Sequence, residues 1–412
     1  MSERPLSDVK ILDLTRLLPG GFCTLLLADL GADVIKIEDT GQGDYVRWAP
    51  PYYGSDEQTP LGTRSAIYLS LNRNKRSVRL DLKQELGRQA LIKLTESADV
   101  LVESFRPGVL DKLGVGYDVL RQANPALVYC PITGYGQDGP NRDRAGHDMN
   151  YLGLNGMLGL TGERDGPPIQ SAGQVADLGG GALMAAVGIL AALHEARRSG
   201  EGQIVDISMT DGSLAWLVME AGRNFRSGEV PRRGEIILSG RIICYRPYEA
   251  SDGWVSCGAL EPKFWRAFCL GVGREDLIEK QFEGPGSDAH REVAEIFKGR
   301  TRDEWRAFND EHDAMIEPIL DLDEALESDL VRAREMTISY EQPEIGEVRQ
   351  LGFPIKMSRT PAAIVRPAPA LGEHTAEVLT QAGYSAEEVQ ALEESGAAKG
   401  PGAAHRKEKF LA

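Results

Sequence analysis

Apolar positions along the chain come in short runs whose spacing alternates between strand and helix. Residues 9–14 (VKILDL) predict a buried strand, the turn TRLLPGG follows, and an apolar helix is expected over about 22–30. Gly31 then leads into a second strand over 33–38 (DVIKIE). Such a β-α-β unit, with an acid closing its second strand, predicts a doubly wound parallel sheet. After a Gly-, Pro- and Tyr-rich stretch over 40–70, read as loop, the pattern continues with a strand (SVRLDL), a helix over about 85–98 and a strand over 99–103. A further helix and a strand over 126–131 complete this alternation. Residues 178–193 are nearly all apolar or small with no polar stripe, which predicts a helix buried on every side. Arg197, Arg198 and Gly200 close it, with cations near the carbonyl end and a glycine at the turn.

Beyond a helix over about 213–225, the pattern changes. Strands are expected around 242–248 and 254–259, followed by helices beginning at Lys263-Phe264-Trp265. Residues 336–366 carry strand and Pro-rich loop signals, and Ser385-Ala386-Glu387-Glu388 is a capping box for a last helix. The expected organisation is α/β: a Rossmann-like large domain with a parallel sheet over 1–225, a smaller α+β domain over 226–335, and a return to the large domain over 336–395. The tail over 396–412, rich in Ala, Gly and Lys, reads as disordered.

Charge narrows the function classes. With 46 Lys and Arg against 62 Asp and Glu, the net charge of −16 argues against a nucleic-acid or anionic-membrane surface. An anionic ligand must then meet a local basic cluster. Five scattered cysteines without CxxC spacing point away from disulfide or zinc frameworks and fit a reducing cytoplasm. The polar N-terminus MSERPLSDVK does not read as a signal peptide. The apolar helix after Asp177 is short and Gly- and Ala-rich, so it reads as a core helix rather than a membrane insertion.

Candidate chemistry gathers between residues 144 and 209. Asp177 precedes the helix in an ADLGGG stretch and reads either as a plain N-cap or as a site carboxyl, since glycines let a ligand approach the backbone closely. Burial there would raise its proton affinity by more than the helix dipole lowers it. His147 lies in a GHD turn thirty positions earlier. The run 72–79, containing Lys75 and Arg76, reads either as a solvated edge or as a phosphate-binding cluster. Arg106 follows a strand's carboxyl end, where open α/β sheets bind ligands. No GxGxxG follows the first strand, so a nicotinamide or flavin cofactor is unsupported.

The stretches LDLTRLLPGG, LGADVIKIE, NKRSVRLDL, ESFRPGV, TGYGQDGP, GHDMNY, ADLGGG and GQIVDISM, in this order, resemble the family III coenzyme A transferases, which also contain the α-methylacyl-CoA racemases. The likeness runs to APALGEHTAEVL. It implies a homodimer of interlocked ring-like chains acting on acyl-CoA thioesters, with no metal and no cofactor beyond the coenzyme A of the substrate. In the transferases the residue matching Asp177 is similar to a nucleophile; in the racemases it is paired with the histidine of GHDxNY, here His147. An EP pair like Glu261-Pro262 also looks racemase-like, and Glu261 would fix the imidazole tautomer. The backbone N–H of Asp148 is the matched donor for an enolate oxygen. By the same resemblance Arg16, Lys75, Arg76 and Arg106 would bind coenzyme A. Asp39 stands where these proteins often carry an adenine-stacking arginine.

Inverting a carbon beside a thioester requires an acid/base group on each face. An imidazole, with an ordinary pKa of about 6.5, suits one role, and the Asp177 carboxyl suits the other. The sequence therefore predicts a racemase or epimerase of 2-methylacyl-CoA thioesters. A transferase using an Asp177 thioester is the close alternative, and a non-catalytic CoA-ester-binding protein is the third.

Overall fold

Six strands run parallel to one another: β1 (Lys10–Leu14), β2 (Asp33–Glu38), β3 (Lys75–Leu80), β4 (Val100–Glu103), β5 (Val128–Thr133) and β6 (Ile207–Ser208). The computed structural model describes residues 4–54 and 64–402. The strands lie in the order β3-β2-β1-β4-β5-β6, so the chain reverses its direction of growth between β1 and β4. Register is set by pairs such as Leu12 with Ile35 and Leu12 with Leu101. Both neighbours of β1 present apolar side chains at those positions, and the strand is buried throughout its last four residues. Parallel strands covered on both faces are expected to read this way.

The described chain divides into two units. The first contains the chain up to Asn155, Ser171–Trp216 and everything from Glu335 onward. The second contains Gly156–Gln170 and Leu217–Arg334, so residues 156–170 group with the small unit rather than with the 1–225 stretch expected to be continuous. The second unit is an antiparallel sheet of Tyr245–Ala250, Gly253–Gly258 and Ile316–Ile319 backed by helices. Its core is aromatic: Phe268 and Phe297 stack with ring centres 5.2 Å apart, and Trp305 lies 4.6 Å from Phe297. A short chain segment thereby acquires a core of its own, since large rings bury much area for little conformational entropy.

Four expectations need correction. Residues 176–183 form π-helical turns, and an α-helix continues from Met184 to Ser199; α3 denotes the whole of Ala176–Ser199. This helix is not buried on every side, because Val187 is 66% exposed and Leu183 and Leu190 are also exposed. A uniformly apolar helix shows only that nothing polar was selected on any face, not that this chain covers every face. The tail is ordered further than expected: Ala398 and Lys399 pair antiparallel with Leu80 and Arg79, closing the open edge of β3. Part of the stretch read as loop is helical, at Tyr45–Trp48 and Ala66–Asn72, while residues 55–63 and 403–412 lie outside the described residues.

The fourth correction concerns the basic run. Lys75 is the first residue of β3, at the amino end of a parallel strand, and its side chain is fully buried. Its ammonium donates to Thr24 Oγ1 (2.8 Å) and the Gly21 carbonyl (3.0 Å) and lies 3.3 Å from Asp13 Oδ2. Arg76 is equally committed, to Asp33 (2.5 Å), Glu377 (2.9 Å) and Gln381 (2.8 Å). Neither residue faces the carboxyl end of the sheet, so both leave the phosphate-binding set. Lys75 belongs to a buried ionic layer that also holds Lys36 with Asp44 (2.8 Å) and Arg47 with Glu38 (2.6 Å), whereas the carboxylates that hold Arg76 are exposed. Burial opposes ionisation of Asp13, but Lys36 and Lys75 outweigh it and hold its carboxyl at about 2. Burial pushes Lys75 down to about 8, against the pull of Asp13. Removing one member of a buried pair strands its partner's charge. Lys75→Met is expected to destabilise the protein by about 3–5 kcal/mol in urea denaturation, and the double variant with Asp13→Asn should recover part of that loss. An unchanged urea midpoint for the single variant would show that the pair does not hold the sheet.

Candidate functional site

The reversal of strand order opens a crevice at the carboxyl ends of β1 and β4, the place where open α/β sheets bind ligands. A cavity of about 610 Å³ occupies it. Each strand end contributes to the wall: Arg16 and Leu17 follow β1, Ser104 to Arg106 follow β4, Gly134 follows β5 and Met209 follows β6. The backbone N–H of Arg16 donates to Ser104 Oγ (3.1 Å), tying the two strand ends together across the switch. His147, Asp177, Arg142, Arg144 and Tyr151 complete the lining used below.

His147 is the N-cap of α2 (Asp148–Leu154) and is exposed. Its backbone N–H donates to Asn150 Oδ1 (3.0 Å), which fixes the entry into the helix. The GHD glycine is required by close packing. A Cβ on Gly146 would meet the Tyr151 ring at 2.6 Å, and one on Gly134 would meet the same ring at 2.4 Å. Tyr151 donates its hydroxyl to the Gly146 carbonyl (2.5 Å), so one ring locks both the TGYG and GHD turns.

Asp148 does more with its side chain than its backbone alone would allow. Its carboxylate is 1% exposed, and Oδ1 accepts from the backbone N–H groups of Ala176 (2.7 Å) and Asp177 (3.0 Å). Asp148 therefore caps the first turn of α3 from a different helix, and Asp177 lies inside that turn rather than at its cap. Among the described residues Oδ2 of Asp148 has no partner. Asp177 is half-buried, and burial first, then the neighbouring Asp148 charge, push its carboxyl up to about 6.

The glycines after Asp177 serve helix packing. α3 crosses α4 (Met209–Leu214) so closely that a Cβ on Gly212 would lie 2.0 Å from the Gly180 carbonyl oxygen. A Cβ on Gly180 would lie 2.6 Å from the Met209 carbonyl oxygen, and one on Gly179 would strike Trp216 at 2.3 Å. The π-helical turns and the three glycines thus bring the Asp177 end of α3 against the segment that follows β6.

The structure brings His147, Asp177, Arg16 and Arg106 to one cavity, and it places Asp148 directly behind Asp177. Lys75 and Arg76 are not among its walls. Glu261 is exposed at the N-cap of the helix Pro262–Gly271 in the second unit. Sequence reading missed Arg142, Arg144, Tyr45 and Tyr151 as cavity residues. Tyr151 had a signal, since it ends the GHDMNY stretch, whereas the two arginines stood in a loop with nothing to mark them. Glu103 closes β4 and is not among the cavity walls. Burial pushes its carboxyl up to about 7 although it accepts from the Phe105 N–H (2.6 Å) and the Tyr129 hydroxyl (3.2 Å).

Comparison with known proteins shows the family. The sequence model of CoA-transferase family III matches residues 6–375. The chain is 36% identical to the alpha-methylacyl-CoA racemase of Mus musculus over 402 residues, covering 94% of this chain and 96% of the relative. It is 35% identical to the succinyl-CoA:mesaconate CoA-transferase of Haloarcula hispanica over 392 residues, covering 92% and 96%. Among solved structures, a CaiB/BaiF family protein from Brucella suis superimposes with a TM-score of 0.78 at 31% identity, covering 92% of this chain and all of that one.

Proposed function

Since the chain belongs to CoA-transferase family III, we propose that it interconverts the configurations of 2-methylacyl-CoA thioesters by moving the α-proton. The observation that carries this reading is the sharing of one cavity by an imidazole, His147, and a carboxyl, Asp177, that takes up a proton near pH 6. One group removes the α-proton, and the C–H electron pair moves into the thioester carbonyl to form an enolate. The other returns a proton to the opposite face, the carbonyl reforms and the thioester bond stays intact. The developing oxyanion needs a donor. Asp148 N–H stands in the first turn of α2, where helix N–H groups lack intrahelical acceptors. Glu261 would orient the imidazole, as the racemase resemblance implies. Arg16 and Arg106 are the cations we assign to coenzyme A, and no separate cofactor enters the reaction. Five free, buried cysteines suit a reducing compartment, in our reading the cytoplasm.

A transferase reading has its own support in the Haloarcula relative and in the half-exposed Asp177 carboxyl. There Asp177 would attack the thioester carbonyl, release CoA thiolate and leave an acyl-aspartyl anhydride. The thiolate then attacks the aspartyl carbonyl, expelling the donor carboxylate and giving an aspartyl-CoA thioester, and an acceptor carboxylate reverses the two steps to carry CoA away and free Asp177.

The two readings separate in D₂O. With a 2-methylacyl-CoA of single configuration and no added carboxylate, NMR should show deuterium entering the α-position as optical purity is lost. His147→Ala should slow both by about 10²–10⁴-fold. Absence of exchange, with CoA passing to an added carboxylate, would transfer the assignment to the anhydride route. Binding without either reaction would leave only a CoA-ester-binding role.

We also take the protein to act as a homodimer with interlocked chains, as the resemblance implies. Large apolar side chains stay uncovered in each unit: Val187 on α3 in the first, and Val218 and Phe225, 86% exposed, in the second. Sedimentation equilibrium should give twice the chain mass, and a single-chain mass at micromolar concentration would refute the pairing.

A further inference from the structure

A second cavity, of about 350 Å³, lies past the carboxyl ends of β1, β2, β3 and β4. Apolar side chains such as Leu14, Ile37 and Leu113 share its walls with charges of both signs, Lys83 and Lys112 against Glu38, Asp39, Asp44 and Asp81. Arg16 and Phe105 line both this cavity and the one that holds Asp177. Arg16 is therefore the charged group at the waist between the two.

Its side chain is held there by modest contacts. The guanidinium meets Asp39 Oδ2 (3.2 Å) and the Tyr45 hydroxyl (2.9 Å), and lies 5.0 Å from the Tyr45 ring centre and 5.9 Å from that of Phe105. Arg16 is 34% and Asp39 43% exposed at the side chain, so water screens this pair and the contact is weak. The backbone beneath it is far more tightly fixed. Arg16 N–H is bound to Ser104, and Leu17, at φ +59°, donates its N–H to Asp44 Oδ1 (3.0 Å). Asp44 is in turn buried and paired to Lys36. The side chain can therefore turn while its backbone stays in place.

Asp39 cannot follow it. Its Oδ1 accepts from the N–H groups of Gly41 (2.7 Å), Gln42 (2.9 Å) and Gly43 (3.3 Å), which anchors the carboxylate to the turn after β2. A phosphate offers a guanidinium more charge and two parallel acceptors. We propose that Asp39 and Arg16 form a latch at the waist between the cavities: Asp39 holds the guanidinium in the empty protein, and a phosphate group of the coenzyme A thioester takes it over on binding. Asp39 is then a specificity-determining residue that competes with the ligand, in place of a residue that contacts it. The latch rests on the acyl-CoA reading but is the same for proton transfer and for CoA transfer.

Binding tests it without turnover. The probes are an unreactive thioether analogue of a 2-methylacyl-CoA and the same thioether on pantetheine, which lacks the phosphates, each titrated by calorimetry. Asp39→Asn keeps an oxygen for the turn but loses the charge, and should lower Kd for the CoA analogue by about 3–5-fold. Arg16→Gln should raise that Kd by about 10-fold or more. Both effects should be at least threefold smaller for the pantetheine analogue, and Asp39→Asn should add nothing in the Arg16→Gln background. Equal effects on the two analogues, or an Asp39→Asn effect that persists without Arg16, would overturn the latch alone. A wild-type protein that binds neither analogue would overturn the acyl-CoA reading, and the latch with it.

Discussion

The site depends on one contact made between two helices: a buried carboxylate at the start of α2 accepting the backbone N–H groups of Ala176 and Asp177. Those N–H groups open α3 and have no acceptor of their own within the helix. By filling that need from the residue after His147, Asp148 couples the position of the imidazole loop to the position of the Asp177 turn. The same contact sets the chemistry. A carboxylate buried beside a second carboxyl disfavours the charged form of its neighbour, and here it adds to burial in raising the proton affinity of Asp177. Asp148 thus fixes the geometry and reinforces a proton affinity that burial raises first.

Everything else in the first unit keeps that contact in register. The strand order places the ends of β1 and β4 side by side, and the crevice there is where His147 and Asp177 meet. Beneath it, Lys36 joins Asp44 and Lys75 joins Asp13, so the loops after β1 and β2 are pinned from inside the sheet. Glycines take the positions where backbone meets backbone or ring, at Gly134, Gly146, Gly180 and Gly212. The design is costly in buried charge, and such networks stabilise only when every partner is present. The described ionic layer supplies those partners within the sheet, away from solvent.

Much of this was legible in the chain. Period-two and continuous apolar runs located β1 to β5, and the motif order identified the family now shown by the match over residues 6–375. Misreadings have a common cause: one dimension does not say which end of a strand a residue occupies or which face a helix leaves uncovered. Lys75 and Arg76 looked like a phosphate cluster because their partners, Asp13, Asp33 and Glu377, are far away in sequence. The helix after Asp177 looked fully buried because composition alone cannot show that Val187 stays open. Asp148 was singled out for its N–H, and the larger role of its carboxylate became visible only with α3 folded against α2. Ala398 and Lys399 fell in a tail read as disordered from its Ala, Gly and Lys content, yet an open sheet edge at β3 supplies hydrogen-bond partners.

The most direct test of this account is the titration of Asp177 itself. Infrared difference spectra between the wild-type protein and Asp177→Asn, recorded as a function of pH, isolate the carbonyl band of the protonated Asp177 carboxyl. The account predicts that the band persists well above the ordinary aspartate range and is lost with a midpoint at about 6. A midpoint at about 3.9, as for an unperturbed aspartate, would contradict it: Asp177 would then be a solvated carboxylate unable to hold the proton that the reaction requires.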